Sequence, residues 1–296
     1  MRKGENTMEL LDRNELLISV DGAKLFCRVF GKKNPPILVM HGGPGLGQNY
    51  LLPQMSAIGK FSCAIFYDQR GTGKSVSRSD WQANPFQTYV HDVNQLREAF
   101  GFETVSLLGH SWGSILVSLY ALAYPQHVDK IIYVNPVPIS SADYMTFVQH
   151  RNQIVNTHKD ELTVIRESSA FKQGDPKTVE KFYRLYFRNY FAKPELANTL
   201  TLTMSSEAAI NNFKIYDLFY NYTANNPFDL YEKLKTLNKQ SLIIACDKDI
   251  IPLHYMEHLH ANLPSSKFIL INESGHFPYI DQPEILFKTL QDFVKS

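Results

Sequence analysis

The run Gly109-His110-Ser111-Trp112-Gly113 lies between two apolar stretches of different character. The stretch before it, 104–108, is short and reads as a buried strand. The one after it, 114–124, is long, almost wholly apolar and stopped by Pro125, as a buried helix is. A strand that becomes a helix across so short a turn leaves the backbone few options. Glycine on either side lets the turn close, and the serine between them is lifted off the strand end. The same alternation recurs along the chain. Apolar runs at 37–40, 63–67, 130–134, 241–245 and 267–271 read as strands, most of them covered on both faces. Helical patterns fall between them. At 86–100, Tyr89, Val93, Leu96 and Phe100 share one face; at 283–294, behind Pro283, the residues Ile285, Leu286, Leu290 and Phe293 point inward. Nearer the amino terminus, runs at 15–20 and 23–30 flank Asp21-Gly22, a hairpin signal. Strand alternating with helix predicts an α/β fold, a mostly parallel sheet flanked by helices.

One stretch breaks the rhythm. Residues 138–233 carry helical patterns and many Tyr, Phe and Asn, with little strand character. The expectation is an α/β core built from 1–137 and 234–296, with 138–233 inserted after the sixth strand as a helical cap domain. Such an insertion sits at the carboxyl ends of the strands, where ligands bind. The chain has 296 residues, 44% of them apolar, enough for a large core. Its 30 basic residues balance 29 acidic ones and form no basic stripe, which argues against a nucleic-acid partner. Residues 1–11 are polar and lack the apolar segment of an export signal, and the longest apolar runs are too short to span a bilayer. A cytoplasmic protein with no membrane partner is expected, its oligomeric state left open. Cys27, Cys63 and Cys246 are scattered without metal-ligand spacing and read as reduced, mostly buried thiols.

Three segments carry chemistry. In the strand–turn–helix context, Ser111 is the candidate nucleophile, and the next N–H, that of Trp112, points at the substrate oxygen. His41-Gly42-Gly43-Pro44-Gly45 follows the strand at 37–40, so its glycines bring backbone close to the reacting carbonyl. Gly43 N–H and Trp112 N–H make the expected oxyanion hole, Gly42 is placed against substrate, and His41 is structural. Losing one such donor typically costs ~10²–10³ in rate. Serine is a weak nucleophile until an imidazole accepts its proton. Two later strands supply what is missing: Cys246-Asp247-Lys248-Asp249 brings carboxylates, and Ser274-Gly275-His276 brings a base. The order serine, acid, histidine is that of the α/β-hydrolase fold. Asp249, further into its turn, is preferred to Asp247 as the acid that orients His276. His110 is expected to face away from the site. This chemistry calls for no metal and no cofactor. Gly71-Thr72-Gly73-Lys74-Ser75 resembles the end of a phosphate-binding loop, but Asp68 stands where that motif needs its first glycine, so a nucleotide site is excluded.

Read together, His41-Gly-Gly-Pro-Gly45, Tyr67-Asp-Gln-Arg-Gly-Thr-Gly-Lys-Ser75 and Gly109-His-Ser-Trp-Gly-Ser114 resemble the prolyl aminopeptidase (proline iminopeptidase) family of α/β-hydrolases. The resemblance covers about 16–136 and 241–296. It implies a triad of Ser111, Asp249 and His276, with Gly43 and Trp112 as the oxyanion hole. It also implies a carboxylate at or near the cap that holds a free amino terminus, for which Glu207 is the candidate. The activity implied is removal of small amino-terminal residues from short peptides. Two features depart from the family. The only tryptophans are Trp81 and Trp112, both outside 138–233, and Ile250 follows Asp249 where tricorn-type members often carry a second carboxylate. An ester or lactone hydrolase is the alternative, its pocket lined by Tyr144, Phe147, Phe182, Phe213 and Tyr216. A ligand receptor on a hydrolase fold stands third. Ser111 in the nucleophile position argues against epoxide hydrolase and dehalogenase chemistry.

Overall fold

The computed structural model describes residues 8–12, 14–77 and 82–296; residues 1–7 of the polar amino terminus and Trp81 lie outside them. Among the described residues, ten strands form one sheet: β1 (Met8–Asp12), β2 (Glu15–Val20), β3 (Ala23–Phe30), β4 (Pro36–Met40), β5 (Cys63–Tyr67), β6 (Val76–Ser77), β7 (Val105–His110), β8 (Val128–Val134), β9 (Ser241–Cys246) and β10 (Ser266–Ile271). Their order is β1-β2-β3-β5-β4-β7-β8-β9-β10, with β6 paired to β3. The first three are antiparallel, β3 meets β5 antiparallel, and every pair from β5 to β10 is parallel. The expected hairpin is present: Val20 pairs with Ala23 across a turn in which Gly22 has φ +73°. β1 and β6 were not anticipated. Every residue of β1 is exposed, so no buried face marks it, and β6 has two residues. Strands β4, β7 and β9 are buried at every residue, which is why they read as unbroken apolar runs.

Helices α1 (Pro85–Ala99) and α2 (Gly113–Ala123) follow β6 and β7. Tyr89, Val93 and Leu96 of α1 are buried as their spacing predicts, and Phe100 caps the helix. Between β8 and β9 the chain makes an inserted helical region: α3 (Ser141–Val155), α4 (Lys159–Glu167), α5 (Ser169–Lys172), α6 (Pro176–Tyr186), α7 (Ser206–Asn225) and α8 (Tyr231–Leu234). Side-chain oxygens of Ser140, Asp175 and Ser205 cap α3, α6 and α7 by accepting from amides of their first turns. The insertion is pinched at its neck. Ser140 bridges to Asp229, Ser141 N–H donates to Phe228 O at 2.8 Å, and Phe228 N–H donates back to Ser141 Oγ at 2.8 Å. The chain then closes with α9 (Leu253–Ala261), α10 (Pro278–Asp281) and α11 (Pro283–Lys295). On α11 the buried face is Leu286, Leu290, Phe293 and Val294; Ile285, expected inside, is 48% exposed. One residue rotates a helix by about 100°, so Ile285 and Leu286 cannot both centre on a narrow face. None of the helices among the described residues is long and apolar enough to cross a membrane.

The segment that mimics a phosphate loop is folded around a carboxylate instead. Lys74 N–H and Gln48 N–H each donate to Asp68 at 2.8 Å, and Ser75 Oγ donates to the Asp68 carbonyl at 2.6 Å. Asp68, the residue that broke the motif, is the centre of the turn. The glycines of the nucleophile turn answer a different constraint, the close passage of α2 over β4 and β7. A Cβ on Gly113 would stand 2.3 Å from Met40 O, and one on Gly109 would stand 2.8 Å from Gly113 backbone. Gly113→Ala should therefore lower the urea-unfolding midpoint, by the equivalent of about 1–3 kcal/mol for forced overpacking. An unchanged midpoint would contradict the contact.

Candidate active site

Ser111 has φ +54°, a left-handed backbone that costs a non-glycine residue of order 1–3 kcal/mol and persists only where its surroundings enforce it. Here β8 and α2 do so. Ser111 N–H donates to Val134 O at 3.0 Å, and its carbonyl accepts from Ser114 N–H at 3.0 Å in the first turn of α2. Gly42 lies directly under the serine, where a Cβ would come within 2.8 Å of Ser111 Cβ. The sequence placed Gly42 against substrate. It is not among the cavity residues, and its N–H is spent on Tyr50 Oη at 2.6 Å.

Asp249 and His276 stand past the ends of β9 and β10. His276 Nδ1 lies 2.9 and 3.1 Å from the two oxygens of Asp249, and both side chains are buried. The carboxylate therefore fixes the proton on Nδ1 and leaves Nε2 to act. Asp247, the alternative acid, is turned elsewhere: it accepts from Ser274 N–H at 3.2 Å and pairs with Lys248 at 3.2 Å. The loop that carries His276 is held on several sides. Asn135 Nδ2 donates to Gly275 O at 2.9 Å, Gly275 N–H donates to Asp281 at 2.7 Å, and His276 N–H donates to Tyr190 O, in the inserted region, at 2.6 Å.

A buried chain of hydrogen bonds joins this loop to the glycine loop. Gly42 N–H occupies one lone pair of Tyr50 Oη, so the phenol proton points onward to His110 Nδ1 at 2.8 Å. His110 Nε2 then carries the hydrogen and donates to His276 O at 2.8 Å. The arrangement requires a neutral His110. Burial, reinforced by the neighbouring His276 imidazole, holds His110 well below the ordinary histidine range. His110 thus does not face away, as its sequence position suggested: its ring centre is 4.8 Å from that of His276, and it lines the same cavity as Ser111. His41 is structural. Its Nε2 accepts from Gln69 N–H at 3.1 Å, which leaves Nδ1 to donate to Gly42 O at 2.8 Å.

Ser111, Trp112, Gly43 and His276 open onto one cavity of about 300 Å³ between the strand ends and the inserted helices. Among the described residues, neither Gly43 N–H nor Trp112 N–H has a protein acceptor. Trp112 precedes α2, whose amino-terminal end adds a favourable dipole for negative charge. The far wall contains all five aromatics named from sequence, Tyr144, Phe147, Phe182, Phe213 and Tyr216. Phe219 of α7 packs on Trp112 with ring centres 4.7 Å apart and seats the cap on the nucleophile turn. Glu207 is not brought to this cavity: it is an exposed residue in the first turn of α7, where a carboxylate complements the helix dipole. Two residues that sequence reasoning missed are Tyr50 and Arg151. Arg151 lies seven residues after Tyr144 and four after Phe147, so a cation on an otherwise aromatic helix face was the available signal. The three cysteines are free. Burial pushes the Cys27 and Cys63 thiols up, and that of Cys246 to about 12, which leaves them unreactive.

Residues 35–283 match the family described as alpha/beta hydrolase fold, and the chain belongs to it. The class is that of a serine hydrolase. Within it the chain falls in the proline-iminopeptidase-like group. It is 27% identical over 299 residues to a proline iminopeptidase of Heyndrickxia coagulans, covering 95% of this chain and 99% of that protein. Among solved structures, the proline iminopeptidase of Mycobacterium smegmatis superposes with a TM-score of 0.70 at 19% identity, covering 95% of this chain and 97% of the other. An esterase from Exiguobacterium antarcticum superposes at 0.65 with 24% identity, covering 94% and 97%. At those identities the two structures establish the fold.

His41 yields a pH prediction. Burial lowers its imidazole to about 4, against a smaller opposing pull from its bond to Gly42. In the unfolded chain it titrates near 6.5, so between these values the unfolded state binds the extra proton and stability is lost as pH falls. Buried carboxylates such as Asp68 titrate as well, so the readout is a difference between proteins. The unfolding free energy of wild type should fall more steeply than that of His41→Asn from about pH 6.5 to 4.5, by about 1.4 kcal/mol per pH unit. Parallel curves would show that His41 titrates alike in both states.

Proposed function

We propose that the chain hydrolyses a small acyl compound, an ester, lactone or amide, through an acyl-enzyme on Ser111, with His276 as base and Asp249 orienting it. The observation that carries this reading is the 2.9 Å bond from His276 Nδ1 to Asp249 in the cavity onto which a strained Ser111 opens. Ser111 Oγ attacks the carbonyl carbon while His276 Nε2 takes its proton. The carbonyl oxygen becomes an oxyanion held by the N–H groups of Gly43 and Trp112. Collapse of that intermediate breaks the bond to the leaving group, which departs with the proton from His276. Water then attacks the acyl-serine, gives a proton to His276, and the released Oγ takes it back. Asp249 holds the ring in this orientation and stabilises the imidazolium.

Aminopeptidase action is the second reading, supported by the proline iminopeptidases to which the chain is similar over nearly its whole length. It needs a carboxylate for the substrate ammonium. Glu207 does not supply one, and the acidic residue that lines the cavity, Asp217, is exposed. The buried charge facing the cavity is a cation, Arg151, which favours the ester or lactone form. The division into a core of 1–137 and 234–296 with a cap of 138–233 is the one we adopt, on the strength of the paired neck.

Ser111→Ala should lower turnover by ~10⁴–10⁶ if the three residues act as a unit. Retention of most activity would remove Ser111 from the mechanism. Hydrolysis of aryl esters should exceed that of prolyl and alanyl arylamides, and acetylating the amine of those arylamides should change little. A strong requirement for the free amine would decide for the aminopeptidase.

A further inference from the structure

Three arginines are buried among the described residues: Arg70, Arg97 and Arg151. Two of them are matched by acceptors. Arg70 meets both oxygens of Asp92, at 2.9 Å from Nε and 2.6 Å from Nη2. Arg97 donates to Asn94 Oδ1, Glu98 Oε1 and Phe102 O. Arg151, 8% exposed on α3, has no such match. Its hydrogen bonds both leave from Nη2, to Asn152 Oδ1 at 3.1 Å and Tyr216 Oη at 2.8 Å. Its Nε–H is shielded from solvent and has no acceptor, and no carboxylate among the described residues lies within ion-pair distance. The guanidinium also sits 5.6 Å from the centre of the Tyr216 ring.

A buried cation without an anion is costly, and natural interiors pair or neutralise it. An arginine cannot lose its proton to escape that cost. This one faces the cavity that holds Ser111. A second unmatched donor lines the same cavity: Asn212, whose Oδ1 accepts from Tyr183 Oη at 2.5 Å while the buried Nδ2 has no acceptor. The remaining charged lining residues are Arg166 and Asp217, both exposed. The cap side of the cavity is therefore an aromatic wall with unsatisfied N–H donors and one desolvated positive charge.

We propose that Arg151 is a carboxylate subsite, so that the substrate of this hydrolase is a small acyl compound bearing a carboxylate away from the scissile bond. The inference rests on the reading of the site as a serine hydrolase but not on which bond it cleaves. A carboxylate there gives the guanidinium the anion it lacks, through the Nη1 donors that no acceptor among the described residues uses, and gains the strength of a charge-assisted bond. The tyrosine and phenylalanine rings cover the rest of the substrate. The specificity follows in sign: an ammonium at the same place would meet a like charge.

Two measurements test this, one of turnover and one of binding. For turnover, mono-p-nitrophenyl glutarate and 4-carboxyphenyl pentanoate carry the carboxylate on the acyl and leaving sides, and p-nitrophenyl pentanoate and phenyl pentanoate are their neutral partners. Wild type should prefer one carboxylate ester over its neutral partner in kcat/KM. Arg151→Met should lower that preference by about 10–100-fold, the worth of a hydrogen bond to a charged group, and Arg151→Lys should restore part of it. Because the readout is a ratio within each protein, a general loss of activity does not imitate it. For binding, Ser111→Ala protein is titrated with monomethyl glutarate and dimethyl glutarate, which needs no catalysis. Tighter binding of the monoanion, lost on adding Arg151→Met, is the expected result. Equal binding of the two, or a preference that survives Arg151→Met, would overturn the subsite. Were Ser111→Ala to keep its activity while the monoanion still bound through Arg151, the hydrolase mechanism would fail and the subsite would stand.

Discussion

Tyr50 Oη holds two parts of the molecule that the sequence keeps far apart. It accepts from Gly42 N–H at 2.6 Å and donates to His110 at 2.8 Å, and His110 passes the link to the backbone of His276. Through one buried hydroxyl, the glycine loop after β4, the end of β7 and the loop after β10 share a single hydrogen-bonded arrangement. It is consistent only if His110 stays neutral and Tyr50 stays protonated, and burial enforces both by raising the phenol and lowering the imidazole. Such a chain is stiff because each member's proton position is dictated by its neighbour. Stiffness matters at Ser111, whose left-handed backbone relaxes unless both flanks are fixed.

The packing repeats this logic at larger scale. Parallel strands bring β4, β7, β9 and β10 to one edge, so that residues from four strand ends converge although 235 positions separate His41 from His276. The inserted helices then rest on that edge through Phe219 against Trp112 and through Tyr190 O against His276 N–H. The cap therefore both supplies the far wall of the cavity and holds the His276 loop from above.

What was legible in the sequence and what was not follows from where each partner comes from. Ser111, Asp249 and His276 each stand just past an apolar strand, and the strand signal is local. The strands of the core, the hairpin at Asp21-Gly22 and the helical insertion were legible for the same reason. Choosing Asp249 over Asp247 depended on how a tight turn aims two carboxylates: Asp247 accepts from Ser274 N–H, and Asp249 meets His276. His110 was misread because its partners, Tyr50 and His276, lie 60 and 166 positions away. Glu207, named from the resemblance, does not line the cavity, and a carboxylate two residues past a serine cap is ordinary helix chemistry. Arg151 was visible as a residue out of place on an aromatic face. That nothing pairs with it depends on every neighbour the fold brings near.

The central claim is that Ser111 is made nucleophilic by His276 and Asp249. The most direct measurement is intact-protein mass after brief treatment with diisopropyl fluorophosphate, followed by peptide mapping. A single adduct on Ser111, formed quickly in wild type and slowly in His276→Ala, is the result predicted. An adduct at another serine, or equal rates in the two proteins, would contradict it.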